Sequence, residues 1–409
     1  NLVKSIKIAE GTINYKVPDF KMMAMYKNDG NGDIAIDTMP TGEYIINETK
    51  SYCTLDNVNK DTKAKLYTNA EGNHVISGLS KGSKCYLYFE KGRIAETALG
   101  RLKINVDKPN FAKTAQKSCE GIKEEHCEET NGIYATTDND GETYYYRGAV
   151  ENNYLRFAGF YWRVIRINGD GTIRLIYQGK TADASGEDAQ IGESQFNPYV
   201  TNSMYIGFKY TDGLVHGYSE KSIILKDSLE PWYENNLLSY ANKIDTNAGF
   251  CQDRTPSTIK DEINNQGGTG NTITYYRGYR IFWYGELPTL ICPNSDDLFT
   301  NTQSNKGNKS LTYPIGLINV DEVHYAGLGR GIANLSYYLY TGVPYWTITP
   351  YAHDYDGANN APSHMLIYSD GVNYAHLSVN KRGVRPVINL KNDIKVTGTG
   401  TISDPYIVL

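Results

Sequence analysis

The clearest pattern along the chain is Phe160-Tyr161-Trp162-Arg163-Val164-Ile165-Arg166-Ile167, then Asn168-Gly169-Asp170-Gly171, then Thr172-Ile173-Arg174-Leu175-Ile176-Tyr177. Alternating runs on either side of such a turn predict a β-hairpin. Tyr144-Tyr145-Tyr146-Arg147 predicts a neighbouring strand. Upstream, Glu43-Tyr44-Ile45-Ile46, Lys65-Leu66-Tyr67, His74-Val75-Ile76, Cys85-Tyr86-Leu87-Tyr88-Phe89 and Arg101-Leu102-Lys103-Ile104 are separated by Gly, Asn, Asp and Lys. Short strands at that spacing predict a small β-sandwich over 21–107. Residues 1–20 form a lead in which Leu2, Ile6 and Ala9 could share one helical face, the end of a longer helix or only a tether.

Helical spacing is rarer. Ser219 can cap a helix over 221–225, and Pro231 breaks or restarts it before Trp232-Tyr233-Glu234-Asn235-Asn236. A second short helix is predicted after Asn319. The chain then returns to strands at Met365-Leu366-Ile367-Tyr368, Tyr374-Ala375-His376-Leu377 and Val384-Arg385-Pro386-Val387-Ile388-Asn389-Leu390. The predicted class is mainly β with some α. It divides into a connector at 1–20, the sandwich at 21–107, a polar linker at 108–131 and a larger mixed domain at 132–409.

Six cysteines refine this picture. Cys53 and Cys85, Cys119 and Cys127, and Cys251 and Cys292 each fall inside one predicted module, and no CxxC spacing suggests zinc. Three local disulfides are expected, which places the protein outside a reducing cytoplasm. The first residue is Asn1 and not Met, so an export signal or anchor is expected to have preceded it. No run approaches the roughly 20 apolar residues of a membrane-spanning helix.

A net charge of −5 with no basic stripe argues against nucleic acid as a partner. The chain lacks Gly-x-Ser-x-Gly, a phosphate loop and a dinucleotide fingerprint, so no catalytic residue is assigned. Asp29-Gly30-Asn31-Gly32-Asp33 with Asp37 begins like a calcium loop but has Ile34 and Pro40 where Gly and Glu belong. No cofactor is expected, calcium being the weak exception. His353, His364 and His376 with Asp354 and Asp356 fit no short metal motif.

The aromatic residues are lopsided, 35 Tyr against 10 Phe and 4 Trp. Tyr serves half-buried strands and binding surfaces equally well. Across 344–382, Tyr345, Trp346, Tyr351, His353, Tyr355, Asn359, Asn360 and Tyr374 alternate with small residues. Rigid rings beside adaptable amides suit recognition, so these eight are the candidate ligand-binding residues, with packing between strands as the competing reading.

Several phrases resemble uncharacterised surface proteins of Gram-positive gut bacteria of the Firmicutes type. They are Tyr144-Tyr145-Tyr146-Arg147-Gly148-Ala149-Val150, Phe157-Ala158-Gly159-Phe160-Tyr161-Trp162-Arg163, Lys84-Cys85-Tyr86-Leu87-Tyr88-Phe89 and Gly383-Val384-Arg385-Pro386-Val387-Ile388-Asn389-Leu390-Lys391. Tyr313-Pro314-Ile315-Gly316-Leu317-Ile318, Trp346 and Gly383-Val384-Arg385-Pro386 are similar to the C-type-lectin-like and formylglycine-generating-enzyme fold, although Val384 stands where that fold has an aromatic. The resemblance implies an Ig-like sandwich followed by a lectin-like domain on a bacterial surface. The expected function is adhesion to a glycan or to a surface protein of a host or neighbouring cell. The alternatives are a subunit of a filament or pilus-like homo-oligomer, and a cell-wall or glycan hydrolase.

Overall fold

The computed structural model describes residues 3–8, 11–16, 20–29, 32–40, 43–56, 58–69, 71–198, 202–258, 267–356, 359–367 and 371–409. It is mainly β with a few short helices. The chain separates into two compact units, 1–108 with 133–135, and 109–132 with 136–409.

The first unit is organised by the strand Lys84–Lys91, on which Cys85, Leu87 and Phe89 are buried while the residues between them are half-buried. That alternation is the period-2 signature of a strand with one core face. Lys21–Asn28 pairs with it in parallel, and Asp33–Ile36 extends the sheet beyond. On its other side lie Tyr44–Ile46 and Tyr52–Thr54. Leu66 and Ile76, from the hairpin Lys65–Thr68 and His74–Ser77, close the core over Leu87 and Phe89. On the opposite face Tyr88 stacks on Tyr26 and Tyr86 on Tyr52, with ring centroids 4.7 and 4.9 Å apart. Cys53 and Cys85 are directly opposed in the ladder and disulfide-bonded. Asp29 is taken up by Lys27 and Tyr44, and Asp33 by Lys50, so these carboxylates neutralise cations of the sheet. Gly30 and Asn31 lie outside the described residues.

Two expectations for this end of the chain change. Val3–Ile8 and Gly11–Lys16 pair as an antiparallel hairpin, where the apolar spacing suggested a helix. Ile6 falls on its first strand, while Leu2 and Ala9 lie outside the described residues. Of the segment 108–131, expected to act as a linker, all but Lys108 packs with the second unit. The Ala115 amide donates to Gly327 and the Asn334 side chain donates to the Ala115 carbonyl, at 2.8 and 2.9 Å. Arg147 reaches Glu128 at 2.8 Å. Polar bonds, not apolar burial, hold this segment, so its composition resembles a linker's. Cys119–Cys127 closes a loop within it.

In the second unit, one sheet runs in the order Gly141–Arg147, Phe160–Ile167, Tyr154–Phe157, Tyr406–Val408, Val396–Thr397. Ile173–Gly179 returns from the Asn168–Gly171 turn to pair with Phe160–Ile167, then pairs with Val387–Leu390 on its other side. The hairpin, its neighbouring strand and the closing strand are therefore those that the alternation predicts. A second sheet is built on Tyr345–Asp356, flanked by Asn359–Ile367 and then Asn373–Leu377. Helix α1 (Glu230–Asn236) continues a wider π-type turn over Ile224–Leu229, and the widening lies just before Pro231, whose ring and missing N–H a regular helix interior would not accommodate. Ser219 caps no helix; it bonds to Thr211, and Glu220–Lys221 is a short strand. Helix α2 (Arg277–Tyr284) was not expected. Helix α3 (Val320–Tyr325) follows Asn319 as predicted, with a complete capping box between Asn319 and Glu322.

Glu322 also enters the core of the second unit. Its carboxylate accepts from Arg166 and Arg174, each at 3.2 Å, and from the Asn319 amide at 3.2 Å. Arg166 continues to Asp138 at 2.6 Å. Burial alone would push the Glu322 carboxyl up, but the Arg174 and Arg166 guanidiniums outweigh it and hold the group below its ordinary value. A depressed carboxyl stabilises the fold above its unfolded pKa of about 4.3, and that contribution fades as pH falls through the lower folded value. Glu322→Gln is expected to cost about 3–5 kcal/mol, since it leaves the buried Arg174 without a carboxylate while Arg166 keeps only Asp138. Thermal unfolding across pH 3–7 should also show a shallower acid-side decline in the variant than in the wild type.

Candidate functional site

The eight candidates from 344–382 separate by burial. Tyr345 and Trp346 are wholly inside. The Tyr345 hydroxyl donates to the Leu339 carbonyl at 3.1 Å, with the Arg385 guanidinium over its ring. The Trp346 indole N–H donates to Ser194 at 2.8 Å, and its ring meets Phe196 edge-on. His353 is also buried, one ring nitrogen lying 2.9 Å from the Thr272 carbonyl. These three are core residues and not a contact surface. Tyr355 pairs with Asn360, next to Asn359 at the tip of the hairpin; their side chains lie outside the described part of the structure. Tyr374 is exposed on the outer strand of the sheet.

Of the three histidines, His364 and His376 are register partners on adjacent strands. Both ring nitrogens of His376 are occupied, by Asn380 at 2.6 Å and Arg382 at 2.8 Å. The side chains of His364, Asp354 and Asp356 lie outside the described part. Among the described residues no group of three or more potential ligands could hold a metal ion.

Tyr351 is different, because helix α2 meets it. Tyr275, Tyr279 and Trp283 follow one another at four-residue spacing, which stacks side chains along one face of a helix and its entry. Tyr279 lies 4.0 Å from Tyr275, 5.2 Å from Tyr351 and 6.2 Å from Trp283, measured between ring centroids. Trp283 is 52 % exposed, yet its indole N–H donates to the Tyr351 hydroxyl at 2.7 Å. A large apolar ring in solvent, fixed by a hydrogen bond to a second ring, makes a rigid platform. Tyr284 and Leu287 widen its exposed apolar area.

The helix beneath the platform is held by charge. Arg277 grips Asp321 of α3 through two bonds of 2.6 and 3.3 Å and reaches Glu286 at 2.5 Å. Arg280 bonds Asp253 at 3.0 Å and Glu286 at 3.1 Å. Bidentate guanidinium contacts fix orientation as well as distance. At the other end, Gly285 takes the left-handed conformation that ends the helix (φ +64°), and Arg330 donates to the Phe282 and Trp283 carbonyls. Burial pushes the Asp253 carboxyl up despite Arg280 beside it.

No described helix is long and apolar enough to cross a membrane. Cys251–Cys292 is disulfide-bonded like the other two pairs, as the spacing predicted, and such bonds fit an extracellular protein. Comparison with protein-family models, curated proteins and solved structures yields no match to this chain.

Burial predicts opposite outcomes for two tryptophans. Trp346→Ala should cost about 3–5 kcal/mol, because it empties a sealed site. Trp283→Ala should change stability by only about 0.5 kcal/mol, as for an exposed position. Urea unfolding of both variants, followed by circular dichroism, checks the contrast.

Proposed function

We propose that this protein is an exported bacterial surface adhesin. In this reading its second unit, lectin-like in fold, holds a glycan against the platform of Tyr279, Trp283 and Tyr351. The observation that carries the reading is Trp283, a mostly exposed indole anchored by the Tyr351 hydroxyl and backed by Tyr279. An isolated exposed apolar residue needs no explanation, but a contiguous, fixed aromatic patch favours contact with a partner. Tyr and Trp offer large contact areas at low entropy cost, and the C–H face of a sugar ring presents a matching apolar surface. Three disulfides support the extracellular setting. The resemblance of several phrases to Gram-positive surface proteins supports the cell surface.

A glycan array probed with the wild type and with Trp283→Ala tests the proposal. Loss of a central anchor is expected to cost about 2 kcal/mol, roughly thirtyfold in affinity, without loss of fold. Binding that survives Trp283→Ala would remove the platform from the account. Concentration-dependent self-association with no glycan bound would favour a filament subunit instead.

A further inference from the structure

The second unit carries another aromatic surface, sharing no residue with the platform. A cavity of about 500 Å³ opens between the end of the central hairpin and helix α1, a size ordinary for a small-ligand site. Its floor is Phe160, Tyr177 and Trp232, with ring centroids 5.4 to 5.6 Å apart. Trp162, fully buried, supports Tyr177 and Trp232 edge-on from within. Such spacing makes a closed floor and not an open cage, so a ligand lies over the rings.

One wall is a short 3-10 turn, Gly186–Ala189, presenting Glu187 and Asp188. It is firmly placed: Gln178 donates to the Ala184 carbonyl at 2.6 Å, the Gly186 amide to Thr341 at 2.7 Å, and Gln190 to Pro344 at 3.1 Å. Lys180 stands on the rim, and Asn236 lines the side that belongs to α1.

Polar groups around this cavity are unspent. Three of the four tryptophans donate their indole N–H, Trp162 to Phe157, Trp283 to Tyr351 and Trp346 to Ser194. Trp232 has no such acceptor among the described residues. The Tyr177 hydroxyl likewise bonds to no described residue, although Tyr177 is 4 % exposed and Asp188 is close enough to raise its pKa, after burial. Neither Glu187 nor Asp188 forms an ion pair with a described residue, and neither does Lys180. All three are exposed, so their charges stay available at the rim of the cavity, whereas the buried Glu322 and Asp321 are taken up by arginines.

We infer that the cavity floored by Phe160, Tyr177 and Trp232 binds an amine-bearing sugar, its ring stacked on the aromatics and its ammonium between Glu187 and Asp188. A pyranose supplies what the site lacks: an apolar face for the rings, an acceptor for the Trp232 N–H and a hydroxyl for Tyr177, while the Asn236 amide is held by the Trp232 carbonyl at 2.8 Å. The excess of two carboxylates over one lysine selects a cation over a neutral or anionic substituent. Aromatic faces add to that preference.

Titration of the tryptophan fluorescence of the full chain with glucosamine oligomers, N-acetylglucosamine oligomers and glucose oligomers of equal length tests this assignment. The amine series should bind about tenfold or more tightly than the other two. The double variant Glu187→Gln/Asp188→Asn should lose that preference with its unfolding midpoint unchanged, because both side chains are exposed. Trp283→Ala should leave it intact, which separates this site from the platform. Equal binding of the three series, no binding, or an unaltered double variant would overturn the inference.

Discussion

The second unit depends on one desolvated carboxylate. Glu322 closes the capping box of α3 and at the same time neutralises Arg166 and Arg174 of the central hairpin. A buried ion costs several kcal/mol to desolvate unless its remaining bonds are satisfied, so helix and sheet are fixed together or not at all. The adjacent residue, Asp321, turns to the other side and grips Arg277 of α2. Position therefore passes from sheet to Glu322, from α3 to Asp321, and from Arg277 to the rings of α2. The platform sits on a helix of only eight residues, too short to be stable alone in water, and this relay of paired charges supplies what its length does not.

The same economy accounts for the wealth of tyrosine. Arg163 lies over the ring of Tyr154 at 3.9 Å and near that of Tyr338 at 5.3 Å, while Arg385 covers Tyr345 at 4.8 Å. Burial pushes the Arg163 guanidinium down to about 10. Tyrosine can surround a buried cation with a negative ring face and still offer a hydroxyl to a carbonyl. Some of the aromatic content is thus the counterpart of buried arginines and is not available for recognition.

That division explains what could be read from the sequence. The hairpin at 160–179, the helix start at Asn319 and the three disulfide pairs are local: a turn, a capping residue, a pairing of neighbouring cysteines. The surface expected at 344–382 is not local. Tyr345 to Pro350 are all buried or nearly so, so this stretch of strand has no solvent face for alternation to report. Pro350 sits at an irregularity of the ladder, where a strand tolerates proline. Only Tyr351 carried the signal forward. Helix α2 escaped because Gly, Tyr, Phe and Trp are poor helix formers and its support comes from Asp321 and Asp253, distant in the chain, as well as from Glu286 just past its end. The four-residue spacing of Tyr275, Tyr279 and Trp283 was the available clue.

Cys251–Cys292 encloses the whole of α2 within a covalent ring spanning 41 residues. If the two ends of the chain are pulled apart, tension runs from Cys251 directly through the sulfur bridge to Cys292. The backbone that bears Tyr279 and Trp283 then lies off the load path. Force on the flanking chain reaches the enclosed segment only through non-covalent contacts, such as the pairing of Thr274 with His353 and of Arg277 with Asp321.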